Sequence, residues 1–410
     1  MALSDDPVQV IREYGMQGRG KNQVVAEGYE INLDITQLAN AFKITWTPGG
    51  IATQRKSLQV QVGNAPPSAP ATGYEEPLLS GDFVRIAVEG TTVLRGRVDM
   101  VFRETSPEVN EMAAIGRNYG YALVDNAVPI DYNFVSSSIS IAALAKLLIK
   151  GTVIGGPVQH GAINSMPMYA APEPGESRAE MLTRYLVHTD SLAWIDVDGN
   201  LAVGKTSSGK AVGTLKLGQN VSNVIACTVR RAPALVLTKV SVLFPNWLAQ
   251  GEEAMVVGVL PDQMGVASQE KDPRLAGFSR YGVIQGSAYS TMLVPGEAMQ
   301  VANLALARSK QEMLQVQATI PGHSIDGVVP WIDQVWHVQH KDEAIDDDLY
   351  LKAVRFWRER GNPKNTRTVL TFVEKNTVVS GFIGPQFFGP FGPLRPGGGT
   401  TPPGTPPPQP

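Results

Sequence analysis

Ile115-Gly116-Arg117-Asn118-Tyr119-Gly120-Tyr121-Ala122-Leu123-Val124-Asp125-Asn126-Ala127 closes a β-rich unit that begins near Lys21. On its N-terminal side, period-two alternation and β-branched content predict strands at Ser57–Val62, Asp82–Val88 and Thr92–Phe102. Phe83–Val88 and Val93–Val98 flank Glu89-Gly90-Thr91-Thr92, which reads as a hairpin connection. On its C-terminal side the same signals predict strands at Ile225–Arg230, Leu235–Phe244, Gln334–His340, Leu349–Trp357 and Thr366–Val373. Helical spacing is rarer. Ser177 and Glu180 form a capping-box pattern ahead of Met181, Leu182, Tyr185 and Leu186 on one face. Ile139–Lys150 and the Pro295-led stretch Gly296–Leu314 repeat the spacing, and a short helix is expected around Ile35–Phe42.

These elements give a β-rich α+β chain. Residues 1–20 read as an N-terminal arm, 21–130 as a first β-rich unit and 131–215 as an α+β unit. Residues 216–378 read as a second β-rich unit with one long helix, interrupted by a Gly-rich polar excursion from Ala249 to Gly286. Residues 379–410 form a Pro/Gly/Phe-rich tail, since 10 of the 30 prolines and 8 of the 41 glycines fall between Gly381 and Pro410. Proline lacks the N–H and glycine is costly to order, so no helix or inner strand is expected there. Phe382, Phe387, Phe388 and Phe391 nevertheless lie in it, and four aromatics in an extended segment suit a docking peptide.

Composition limits the function. Lys and Arg number 35 and Asp and Glu 38, so there is no basic excess to grip nucleic acid by phosphate neutralisation. Cys227 alone supports neither an intrachain disulfide framework nor a multi-cysteine zinc cage. Met1–Val10 carries Asp5 and Asp6 and lacks a leader's apolar core; Ile139–Ile154 is too short to span a bilayer, so no membrane anchor is expected.

No catalytic constellation emerges. Gly199-Asn-Leu-Ala-Val-Gly204-Lys205-Thr206 satisfies the phosphate-loop pattern, but that loop needs a strand before it and a helix after it. Here Trp194–Val203 reads as a hairpin turned at Asp198-Gly199, and no helix opens after Thr206. His337 and His340 are three apart on a strand and so face opposite sides, away from one shared metal. Neither Ser279 nor Ser324 completes a nucleophile elbow, and Cys227 reads as a small buried hydrophobe. No catalytic residue, cofactor site or metal site is assigned.

The opening stretch resembles the Gly-Arg … Leu-Val-Asp signature of the baseplate hub proteins of Mu-like contractile-tailed phages, carried here by Gly116, Arg117, Leu123, Val124 and Asp125. That tail hub family is shared with T-even phages and related injection systems. The resemblance continues in order through Ser138–Ile149, Glu176–Val203, Ala298–Ile320, Trp331–Val354 and Thr366–Val373. Where the family commonly has Cys and Ser after the Asp, this chain has Asn126 and Ala127.

The resemblance implies a non-enzymatic structural protein of the virion baseplate, made in the host bacterial cytoplasm. It implies a homotrimer with two tube-like β-barrel domains per chain, so that six barrels form a ring around a central channel. Such a ring adapts a six-fold tail tube to a three-fold spike. Partners are then the central spike protein and the tail tube or distal tube protein, with tape-measure and baseplate wedge proteins as further candidates and DNA only in transit. Two other classes compatible with size and β content are a tail-associated cell-wall hydrolase and a carbohydrate-binding adhesin. A hydrolase should show an identifiable acid and base. An adhesin should cluster its aromatics, whereas the six tryptophans here are scattered.

Overall fold

In the chain's computed structural model, described residues are 8–14, 23–47, 78–105, 110–129, 139–160, 172–186, 189, 191–217, 222–243, 264–268, 272–285, 297–360, 362 and 365–378. Its first strands are β1 (Gln9–Tyr14), β2 (Gln23–Val25), β3 (Gly28–Asp34), β4 (Ala41–Trp46), β5 (Phe83–Val88), β6 (Thr91–Thr105) and β7 (Asn110–Asn118). The expected β5–β6 hairpin is present, and Glu89 and Gly90 both take positive φ (48° and 76°). That is the two-residue turn whose twist matches its strands. The short helix expected around Ile35–Phe42 does not form. Asp34 Oδ1 accepts from Thr36 N at 2.8 Å, and Asn40 Oδ1 accepts from Asp34 N at 2.7 Å, so side-chain bonds fold this stretch into turns before β4. The strand expected at Ser57–Val62 lies outside the described residues.

Beyond β7 come α1 (Tyr121–Val124), α2 (Ile141–Leu148), β8 (Gly155–His160), α3 (Arg178–Leu186), β9 (Leu192–Ile195) and β10 (Asn200–Gly204). The capping box is realised: Ser177 N donates to Glu180 Oε2 at 2.8 Å, and Glu180 N donates to Ser177 Oγ at 3.1 Å. β8, β10 and β9 form a three-stranded sheet. Its inner residues pack with α2 and α3 in a core containing Ile141, Leu144, Met181, Leu182 and Leu201.

The second β-rich stretch supplies β11 (Thr214–Leu217), β12 (Ala226–Arg230), β13 (Lys239–Leu243), β14 (Met264–Ser268), β15 (Tyr281–Gln285) and α4 (Glu297–Lys310). β16 (Gln315–Pro321), β17 (Gln334–His340), β18 (Ile345–Arg358) and β19 (Thr366–Glu374) complete it. Parts of the excursion expected from Ala249 to Gly286 are strands: β14 and β15 flank β13 in a separate small sheet, with α4 packed against it.

One pairing organises the whole. Strands run in the order β12-β16-β19-β18-β3-β4-β7-β6-β5-β1-β2, with β17 and β11 branching from β18. β18 is the hinge of this path. Its first half pairs with β17 (Gln334↔Leu351) and its second with β3 (Ala353↔Asp34), while β19 runs along its other edge. The β18–β19 register slips between Leu351 and Ala353, where β18 changes partners, and Lys352 O accepts from Ile35 N at 3.1 Å. A bulge bends a strand and raises its twist, which lets one strand serve two sheet directions. Beneath lies one continuous core from both β-rich stretches, including Phe42, Ile44 and Trp46 with Trp336, Phe356 and Phe372. Each such side chain contributes about 1.5–3 kcal/mol on full burial. Among the described strands the hydrogen-bonded path is open, ending at β12 and β2.

Candidate functional site

The signature residues sit where the large sheet hands over to the smaller core. Gly116 and Arg117 lie near the end of β7, between β4 and β6. A Cβ on Gly116 would meet Arg97 O at 2.2 Å and the Phe42 ring at 2.4 Å, so glycine lets Phe42 lie across its cross-strand partner. A Cβ on Gly120 would stand 1.9 Å from Leu38 O. The chain therefore turns against backbone on both sides of Asn118, whose Oδ1 accepts from Asn40 N at 3.1 Å and from Gly120 N at 3.2 Å.

Arg117 joins the turn to the sheet. Its guanidinium donates to both oxygens of Asp125 at 2.8 and 2.7 Å, and its Nε donates to Asp99 Oδ2 at 2.7 Å. A bidentate pair fixes direction as well as charge. The Asp125 hydrogen bonds, with Asp99 assisting, raise the guanidinium's pKa above its ordinary value. The Arg117 hydrogen bonds hold the Asp125 carboxyl below the usual carboxylate range. Arg97 stacks 4.3 Å from the Tyr121 ring centroid beside them. Leu123 is fully buried in the smaller core, whereas Val124 faces outward.

Past Asp125 the junction is stitched to α3. Arg178 N donates to Asn126 O at 3.0 Å and Val128 N to Glu176 O at 3.0 Å. Arg178 Nη1 reaches Leu148 O and Lys150 O at the end of α2 at 2.7 and 3.0 Å, a cation placed on orphan carbonyls. These side chains tie the end of the large sheet to the smaller core.

The phosphate-loop pattern falls on the same junction. β9 and β10 pair antiparallel, Asp196 Oδ1 accepts from Asp198 N and Asn200 N at 2.9 and 2.8 Å, and Gly199 takes φ 83°. A Cβ on Gly199 would lie 2.5 Å from the Tyr119 ring, so this glycine is a turn residue beneath the signature. Lys205 follows β10 in chain without helix, its N donating to His160 O at 3.2 Å, so no helix N-terminus stands there to hold phosphate. Lys205→Ala should leave the melting temperature unchanged, and the parent chain should show no saturable Mg-ATP binding by calorimetry. Micromolar binding that this substitution removes would overturn the hairpin reading.

His337 lies between two carboxylates, Nδ1 3.0 Å from Asp348 and Nε2 3.0 Å from Asp346, with Lys375 Nζ also 3.0 Å from Asp348. Among the described residues no group of three or more His, Cys, Asp or Glu is placed to hold a metal ion. Cys227 is half-buried on β12, and burial, with Glu343's charge adding, pushes its thiol up. Among the described residues no helix is long and apolar enough to cross a membrane. Phe382, Phe387, Phe388 and Phe391 lie outside the described residues.

No sequence motif singles out His323. It is buried between β3 and β19, where Tyr29 OH donates to its Nε2 and its Nδ1 stands 2.7 Å from Thr368 Oγ1. Thr368 spends its proton on Gly322 O at 2.8 Å, so Nδ1–H donates to the hydroxyl and Nε2 accepts. The imidazole is neutral: burial, assisted by Arg358, lowers its pKa to about 4.

No family model matches this chain, and no curated protein matches it in sequence. Solved structures do match. The 43 kDa tail protein of prophage MuSo2 from Shewanella oneidensis superposes with TM-score 0.68 at 18% identity, over 90% of this chain and 99% of that one. A tail protein from Neisseria meningitidis gives 0.66 at 21%, over 90% and 96%. This chain has the fold of prophage tail proteins. A prophage tail protein from Listeria monocytogenes keeps the tail-protein fold at 8% identity, with TM-score 0.55 over 90% and 95% of the two chains. The tail-protein fold thus spans both β-rich stretches and the junction between them.

Proposed function

We propose that the chain is a structural component of a phage-type contractile tail, acting as the trimeric hub of its baseplate. The observation that carries this reading is the tail-protein fold along 90% of the chain, built on one sheet that joins its two β-rich stretches through β3 and β18. Each stretch contributes one tube-like barrel to a ring of six, three chains enclosing a central channel. A closed ring covers strand edges such as β12 and β2 that would otherwise face water. The six-fold tail tube meets one side of the ring and the three-fold spike the other, and DNA passes through without being bound. Tape-measure and wedge proteins are further neighbours, and the virion baseplate is the location. In this role Gly116, Arg117, Leu123, Val124 and Asp125 keep the ring-forming sheet and the smaller core in one rigid body, so force applied to one is transmitted to the other. Phe382, Phe387, Phe388 and Phe391 serve as docking anchors.

Light scattering of the purified chain should give a mass of three times 44.0 kDa, and negative-stain images should show a three-fold ring with a hole. A stable monomer or dimer at micromolar concentration would count against the ring.

A further inference from the structure

The insertion between β12 and β16 carries an apolar ledge. Leu235, Phe278 and Tyr281 are 44%, 41% and 57% exposed, and they belong to one small unit. Arg280 Nη1 donates to Leu235 O at 2.7 Å, Thr238 N donates to Arg280 O at 2.8 Å, and Phe278 N donates to Leu275 O at 3.0 Å. Tyr281 is anchored through its hydroxyl, 2.8 Å from Ser241 Oγ, so its ring is held in place while remaining open to solvent. Beneath the ledge, Val236, Leu275 and Met313 form a separate small core. Exposed aromatic and aliphatic side chains held on one small unit offer a surface for an apolar partner.

The chain leaves the described structure next to this ledge. Arg274 Nη1 donates to Glu374 Oε1 at 2.6 Å, and Gln311 Nε2 donates to Thr377 O at 2.7 Å. Val378 is buried. Thus the 3-10 turn Pro273–Leu275, two residues short of Phe278, is tied to the last residues of the body. Past Val378 the sequence runs through Gly381-Phe-Ile-Gly-Pro-Gln-Phe-Phe-Gly-Pro-Phe-Gly-Pro-Leu394, which carries four phenylalanines and no charged residue. At about 3.3 Å per extended residue, Phe382 reaches about 13 Å from Val378 and Phe391 about 43 Å. The distal end of the aromatic run can reach its own ledge. Pro385, Pro390 and Pro393 reduce the freedom that docking must remove. Tethering at residue 378 supplies a high local concentration.

We infer that in the unassembled protein the segment Gly381–Leu394 docks on its own chain's ledge at Leu235, Phe278 and Tyr281, covering both apolar surfaces. This does not depend on the hub reading.

Hydrogen exchange of the full chain, read by mass spectrometry, tests it. Amides of Gly381–Leu394 should exchange at least about tenfold more slowly than those of Gly397–Pro410. Combined Leu235→Ser, Phe278→Ser and Tyr281→Ser should abolish that difference while β19 stays protected. Should that variant unfold, Phe387→Ser with Phe388→Ser alters only the tail, and exchange across residues 272–285 should then rise about tenfold. An unprotected tail in the parent chain overturns the assignment, as does protection that survives the ledge substitutions, or unchanged exchange at 272–285 in the tail variant. Protection lost on about a hundredfold dilution would place the segment on a second copy and equally overturn it.

Discussion

Gly116→Ala is expected to destabilise the chain by about 3 kcal/mol, at the upper end of what overpacking a core ordinarily costs. The new methyl would stand 2.2 Å from Arg97 O and 2.4 Å from Phe42 Cζ. Phe42 is a side chain and can rotate away, at the cost of a cavity in a fully packed region. Arg97 O is backbone in β6, held by the ladder on both sides, and cannot yield without separating β6 from β7. Adding Phe42→Leu should therefore recover only part of the loss. Gly156 makes the matched control. It lies in β8, a Cβ there meets nothing within 4 Å, and Gly156→Ala should be neutral or stabilising by about 0.5 kcal/mol. Urea unfolding of the three variants decides the matter. A Gly116→Ala loss no larger than the Gly156→Ala change would remove the steric account of the signature glycine.

How legible this fold was from its sequence depended on how local each cause is. The capping box at Ser177 and Glu180, the Glu89-Gly90 turn and the Asp198-Gly199 hairpin are set by residues within a few positions of one another, and all three are realised. The stretch around Ile35–Phe42 misled because its apolar spacing is helical while its hydrogen bonds are made by Asp34 and Asn40, which favour turns. β14 and β15 were hidden in Gly-rich sequence, since they owe their pairing to β13 and α4. The β3–β18 pairing joins opposite ends of the chain, and no local pattern announces it. At the junction, resemblance pointed to positions and structure gave the reasons: Phe42 and Arg97 explain Gly116, and Asp99 with Asp125 explains Arg117.

That distinction matters for reading the tail-protein fold in other sequences. At 8–21% identity the matching structures share few side chains with this chain, yet they superpose over 90% of it. In this chain the tightest demands are geometric: a strand that exchanges partners at Lys352, and a handover too tight for side chains at two glycines. Requirements of that kind restrict residue size and backbone freedom more than chemical identity.

Acidification from about pH 7 to about pH 4 should remove about 3 kcal/mol of stability through His323 alone. Its folded pKa is lowered to about 4 from an ordinary 6.5, chiefly by burial. Between those values the unfolded chain binds a proton that the folded chain refuses. Stability is therefore fully present above pH 6.5 and is lost as pH falls toward 4. Protonation would also give Nε2 a hydrogen facing the Tyr29 hydroxyl, breaking the donor sequence that ends on Gly322 O. Asp125 and Asp348, whose pKa values are lowered by Arg117 and by Lys375 with His337, lose their contribution in a lower window, below the ordinary carboxylate value. Asp333 acts with the opposite sign: burial raises its pKa, so it weakens the fold as pH rises above 3.8. His323→Gln separates these terms, because glutamine can donate to Thr368 and accept from Tyr29 without titrating. Urea midpoints at about pH 7 and about pH 4.5 should differ widely in the parent chain and far less in the variant. Equal pH dependence in the two would show that the imidazole is not the group being titrated.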